Sequence, residues 1–211
     1  EKCERIFISV QMHGYVIKDL NGKEITDYIS WQDRRASLTP ITLHLPSVSG
    51  TAVKENLPRA GVEAMVKTSE EFNNIKKEFF TLGSYIVYKI TGINSTHITD
   101  AAASGYYNAF TCETLNSANI LLPYATKDFV CLGKYKGMEI FSPVGDQQAA
   151  VLGSEAGERD YIINLGTAGQ MCCISKDFVG DDFESRQYFG GITLGTVTEL
   201  TAGKKMREGG D

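Results

Sequence analysis

Little in this chain points to a metal-bound, disulfide-stapled or membrane-spanning protein. It holds three histidines and five cysteines in 211 residues. The cysteines (Cys3, Cys112, Cys131, Cys172 and Cys173) are odd in number and irregularly spaced. No C-x-x-C occurs and no two histidines lie close in sequence. That spacing speaks against a zinc site and against a disulfide framework, and fits a reducing cytoplasm. No apolar run approaches the roughly 18 residues that a spanning helix needs, and no signal peptide is visible, so no membrane partner is expected. Basic residues are also scarce: 21 Lys and Arg against 26 Asp and Glu leave a net charge of −5, which excludes a broadly basic nucleic-acid surface. The G-x-x-x-x-G-K-[ST] loop of P-loop NTPases and the protein-kinase signature set are both missing. Asn94-Ser95-Thr96 matches a glycosylation sequon, read here as chance in a cytosolic chain.

What remains is an ordinary globular composition, 42% apolar and 22% charged, enough for one large domain or a domain plus part of another. Arg5 to Val10 reads as a buried strand, followed by Gln11-Met12-His13-Gly14. Tyr15 to Leu20 is a second strand, Asn21-Gly22 a hairpin turn, and Lys23-Glu24-Ile25 the start of the return. Ile29-Ser30-Trp31 is short and extended and runs into Gln32-Asp33-Arg34-Arg35. Pro40, Pro46 and Pro58 punctuate a looser region. Helices are expected over 61–65, over Ser69–Phe79 with Ser69 as cap, and over Thr81–Ile90 with Gly92 as terminator. Glu139–Ser142, Tyr161–Leu165, Gln170–Ser175 and Ile192–Leu200 read as strands. Strands and helices interleave without a strict βαβ repeat, so the fold class is α/β with a mixed sheet flanked by helices.

Two turns carry the chemistry. Ser142-Pro143-Val144-Gly145-Asp146-Gln147-Gln148 sets one acid at a strand end, opening a helix of small and apolar residues. Asp146 there is either a general base or a helix cap. Leu165-Gly166-Thr167-Ala168 follows an apolar strand, and its backbone N–H groups suit a phosphate, or serve a plain turn. An acid and an anion-binding turn on neighbouring strands suggest phosphoryl transfer to a hydroxyl. Gln11 and His13 suit hydrogen bonds to sugar hydroxyls, with a structural histidine as the alternative. Trp31 beside Asp33 and Arg34 gives an apolar face next to a charged pair, which suits a sugar or a buried Trp beside a surface ion pair. Asp100 is a polyol ligand or a helix cap.

In this order, Gln-Met-His-Gly, Trp-Gln-Asp-Arg, Ser49-Gly50-Thr51, Thr99-Asp100-Ala101-Ala102-Ala103-Ser104, Gly145-Asp146-Gln147-Gln148-Ala149-Ala150 and Gly166-Thr167 resemble the FGGY carbohydrate kinases across essentially the whole chain. The acid motif is similar to the glycerol kinase form, and the first two motifs to the xylulokinase and sedoheptulokinase forms. The resemblance implies an actin-like (ribonuclease H-like) fold and an ATP-dependent kinase that uses magnesium and phosphorylates a ketose such as xylulose or sedoheptulose. It implies Asp146 as catalytic base. Gln11, Met12, His13, Trp31, Asp33, Arg34, Asp100 and Gln147 would contact the sugar, and Gly166 and Thr167 the nucleotide phosphates. It makes 1–200 part of the sugar-binding domain without its first strands, and 201–211 the approach to a nucleotide domain, as expected of a piece of a longer protein. A homodimer is left open, and a sugar-binding module without catalysis is the alternative. Ala52-Val53-Lys54-Glu55-Asn56 departs from the family's Lys-then-Trp at the sugar wall.

Overall fold

Four short parallel strand pairs among the described residues set the frame on which the chain is built. The computed structural model describes residues 3–39, 55–108, 111–115, 119–158, 160–165, 168–175, 184–191 and 193–200. The readings placed on 40–54, on Gly166 and Thr167, and on 201–211 therefore lie outside the described residues. β1 (Arg5–Ile6) and β2 (Ser9–Val10) divide the first expected strand. β3 (Tyr15–Asp19) follows, and the Asn21-Gly22 turn closes with Gly22 at φ 86°. The return makes single bridges, Lys18 to Glu24 and Tyr15 to Ile29.

α1 (Pro58–Thr68) starts on a proline in its first turn, where the missing N–H costs nothing. It extends further both ways than the expected 61–65. α2 is only Glu70–Asn74, capped as expected by Ser69, whose hydroxyl accepts from Phe72 N. The expected helix to Phe79 does not form. Lys77–Thr81 is instead strand β4, antiparallel to β3 and parallel to β6 (Ile120–Leu121). As a central strand it sends Phe79 and Phe80 to opposite faces, and both are fully buried. Burying each contributes on the order of 1.5–3 kcal/mol, more than the weak helix propensity of Asn73-Asn74 offers.

α3 (Leu82–Thr91) is bounded as its sequence indicates: Thr81 Oγ1 accepts from Ser84 N, and Gly92 ends the helix at φ 78°. β5 (Ser95–His97), α4 (Ile98–Ala101) and a 3-10 turn over Ala102–Ser104 follow. β7 (Tyr124–Thr126) pairs with β5. β8 (Cys131–Tyr135) and β9 (Met138–Phe141) form a hairpin on Lys136-Gly137, both at positive φ. β10 (Val144–Gly145) leads into α5 (Asp146–Gly153). β11 (Tyr161–Leu165), β12 (Ala168–Ser175), β13 (Glu184–Gln187) and β14 (Thr193–Leu200) make an antiparallel sheet in the order β11-β12-β14-β13.

Parallel and antiparallel pairings thus coexist, as expected. One core gathers Tyr15, Ile17, Val62, Phe79 and Tyr106 between the first sheet and the helices. A second joins Val151 of α5 to Cys172, Ile174 and Tyr188. Gly83, near the start of α3, packs against Val10, Asp100 and Pro143 at the entry to β10. A Cβ there would lie 2.7 Å from Pro143 Cβ and 2.9 Å from Asp100 Oδ2. Gly83→Ala is expected to cost about 1–3 kcal/mol, read as a lower urea midpoint at unchanged m-value.

Candidate functional site

The site begins where two parallel strands end side by side. β10 pairs with β2 in the register Val144 to Ser9 and Gly145 to Val10. Both strands therefore run out at the same level. After one comes Gln11-Met12-His13-Gly14, and after the other Asp146. Ligands in α/β folds gather at such carboxyl ends. The two segments touch: a Cβ on Gly145 would sit 2.8 Å from Met12 Sδ and 2.6 Å from Gln148 Oε1, so a side chain there would displace one of those flexible groups.

Asp146 is exposed and forms the first residue of α5. It is not the helix cap, since Gly145 holds that position without a side-chain bond. Its Oδ1 accepts from Gln147 N at 2.8 Å. Surrounding protein mass nevertheless pushes its carboxyl above the ordinary range, against the pull of the Gln147 N–H and the Arg186 charge. The result is an accessible acid with raised proton affinity, as a general base needs.

Gln11 is exposed and its Nε2 donates to Tyr28 Oη at 2.5 Å. Tyr28 also lies against Gly14, where a Cβ would come within 2.2 Å of the phenol oxygen. Tyr28 thereby ties the Gln11–Gly14 turn to the segment carrying Trp31, Asp33 and Arg34. Met12 is buried. His13 is half-buried at φ 69°, a conformation that costs a non-glycine residue free energy and often marks functional turns. Its Nδ1 lies 3.4 Å from Asn56 Nδ2.

Some expected roles change. Asp33 pairs with Arg35, not with the exposed Arg34: Arg35 Nε donates to Asp33 Oδ1 at 2.7 Å and Nη2 to Oδ2 at 3.0 Å, which holds the Asp33 carboxyl below its usual range. The two-residue spacing lets the guanidinium fork fold back onto the carboxylate. Trp31 is half-buried beside this pair. An open groove of about 750 Å³ between this segment and α1 and α2 includes Tyr28, Asp33, Arg35 and Phe72 among its walls, but neither Gln11, His13 nor Asp146. It is separate from the strand-end site. Gln147 is buried, and its Oε1 is taken by the Arg186 guanidinium of β13, a residue that sequence reading did not single out. Only the sheet order, with β13 folded against α5, brings it there.

Asp100 is no helix cap, because the His97 side chain fills that role for α4. Nor does it lie open to a polyol: it is 2% exposed, and its Oδ2 accepts from Thr81 Oγ1 at 2.5 Å and Thr96 Oγ1 at 2.8 Å. Thr96 Oγ1 also lies 3.1 Å from Pro143 O, and Thr99 Oγ1 accepts from Gly145 N at 3.2 Å. One Thr96 proton cannot serve both acceptors. A protonated Asp100 resolves the shortage by giving its own. Burial, together with the charge of nearby Asp146, pushes Asp100 up to about 6 despite the two hydroxyl bonds that oppose the shift. This acid is raised on folding, so it costs nothing below pH 4 and penalises the folded state as pH climbs through 6. Full ionisation would cost about 3 kcal/mol. The stability of the protein relative to its Asp100→Asn variant is expected to fall between pH 4 and 7, measured by urea denaturation across that range.

The chain is 26% identical to the xylulose kinase of Staphylococcus xylosus over 90% of its length, and 26% identical to human sedoheptulokinase over 79%. It spans 47% and 41% of those proteins. No protein-family model matches it. Among solved structures it superposes on Plasmodium falciparum glycerol kinase with ADP at a TM-score of 0.81 and 16% identity, covering 95% of this chain and 47% of that one. On the ligand-bound xylulose kinase of Lactobacillus acidophilus the TM-score is 0.75 at 17% identity, covering 93% and 46%. The mixed α/β architecture is thus the actin-like fold of these enzymes, and in sequence and fold together the chain is FGGY carbohydrate kinase-like.

Proposed function

We propose that this chain forms the acceptor-binding part of an ATP-dependent carbohydrate kinase acting on a ketose such as xylulose or sedoheptulose. The observation that carries the reading is the Gly145–Val10 register, which sets an exposed, proton-avid Asp146 beside Gln11 and His13. Its relatives include a xylulose kinase and a sedoheptulokinase.

The acceptor sugar lies across the two strand ends. Gln11 and His13 hydrogen-bond its hydroxyls, and the half-buried Trp31 ring offers an apolar face to its C–H surface. Asp146 accepts the proton of the attacking hydroxyl while that oxygen bonds the γ-phosphorus. The bond from phosphorus to the bridging oxygen of ATP breaks, and its electron pair leaves with ADP. Gly166 and Thr167, outside the described residues, are assigned to the nucleotide phosphates on motif resemblance. Positioning and electrostatics supply most of the rate in such transfers.

Among the described residues no three or more His, Cys, Asp or Glu side chains cluster to hold a metal. Magnesium is the metal proposed with ATP, and it is commonly held by substrate phosphates and water with one or two carboxylates. When bound it would neutralise charge on the transferred group. Among the described residues no helix is long and apolar enough to cross a membrane, and a cytoplasmic enzyme is the proposed setting.

The full-length protein, given ATP, magnesium and D-xylulose, sedoheptulose, glycerol or gluconate, is expected to turn over one of the ketoses. Asp146→Asn is expected to lower kcat by about 10²–10⁴ while the acceptor still raises the melting temperature. Binding without turnover in the wild type would favour a sugar-binding module. Near-normal kcat in the variant would remove Asp146 from its role.

A further inference from the structure

The mechanism leaves one buried contact beside the base unused. β13 docks on the head of α5 through two consecutive residues. Arg186 donates from Nη1 to Gln147 Oε1, and Gln187 O accepts from Gln148 Nε2 at 3.1 Å. Both glutamines are buried, at 5% and 1% exposure. They are the two residues that follow Asp146. β13 also packs against α4, which carries Asp100. A strand some forty residues along the chain therefore grips the turn that holds the acid.

Charge at this point is sparse and directional. The cation acting on Asp146 is Arg186 from β13, and it favours the carboxylate. Behind the turn, Asp100 from α4 is the nearby acid, and ionised Asp146 opposes its ionisation. Cys172 from β12 faces Arg186 and Gln147, and burial raises its thiol so that it stays neutral. Gln147 N and the α5 terminus supply the remaining positive potential.

We propose that Arg186 is a positioning residue for the base: it clamps the Gln147 side chain beside Asp146 and places a fixed positive charge over that end of α5. This rests on Asp146 being the base. A neutral clamp would hold Gln147 equally well. Arginine adds a charge that titration does not remove at working pH.

The test is the pH dependence of kcat/KM in the full-length protein with D-xylulose or sedoheptulose, ATP and magnesium. Arg186→Gln is expected to move the acid limb to higher pH by about one unit, because the lost cation no longer favours the ionised acid. Arg186→Lys keeps the charge and is expected to leave the limb in place, while its differently shaped ammonium misplaces the Gln147 contact and lowers kcat/KM about tenfold. An unmoved limb in Arg186→Gln, or the same shift in both variants, overturns the proposal. Should Arg186→Gln unfold, Arg186→Lys decides alone: wild-type kcat/KM in it overturns the clamp, and the expected loss at an unmoved limb supports it. An inactive Asp146→Asn with an unmoved Arg186→Gln limb sinks only the role of Arg186. An active Asp146→Asn sinks both readings.

Discussion

The candidate site hangs on the pairing of two dipeptide strands, β2 and β10. Two residues of parallel ladder are a weak structure in isolation, since parallel pairs gain their stability from what covers them. Here the cover is polar as well as apolar. Val10 and Val144 are buried, Pro143 and Val10 crowd Gly83, and the Thr96–Asp100–Thr81 hydroxyl chain sits behind the turn. Backbone atoms of Pro143 accept from both His97 N and the Thr96 hydroxyl, while Gly145 N donates to Thr99. A slip of one residue would break all these contacts at once and turn Asp146 away from Gln11. The register is fixed less by the ladder than by side chains of β5 and α4.

The parts legible in the sequence were those set by local chemistry. Asn21-Gly22 turns because those residues accept the backbone conformations a tight hairpin demands. Thr81 and Gly92 bracket α3 because one offers a hydroxyl to free N–H groups and the other tolerates a left-handed backbone. Gly145-Asp146 marked the strand-to-helix turn for similar reasons. What escaped was whatever depends on partners distant in the chain. Lys77–Thr81 carries helix-compatible residues and becomes a strand because β3 and β6 flank it. Asp100 has the local signature of a cap, and only tertiary packing buries it. Arg186 carries no local signal at all, since its meaning comes from β13 lying against α5.

Asp33 shows the same limit at shorter range. A Trp-Gln-Asp-Arg-Arg run offers two cations to one carboxylate, and sequence does not rank them. The backbone turn puts Arg35 back over Asp33 and leaves Arg34 exposed. The consequence reaches the proposed sugar wall. A carboxylate already bound by a guanidinium fork is a rigid, polarised acceptor surface, and its freedom to rotate toward a ligand is small.

The two acids of the site divide their labour by environment. Both are raised, but by different balances. Asp100 has hydroxyl partners and no cation, so burial dominates and pushes it up to about 6. Asp146 has an N–H, a helix terminus and Arg186 to favour its charge, and desolvation raises it against all three. Once ionised, Asp146 opposes the ionisation of Asp100. A neutral Asp100 is the form that can complete the Thr96–Pro143 hydrogen bond and so keep the turn in register. The exposed acid thus favours the protonated form of the buried one, and the two environments could not be exchanged without reversing which acid faces solvent.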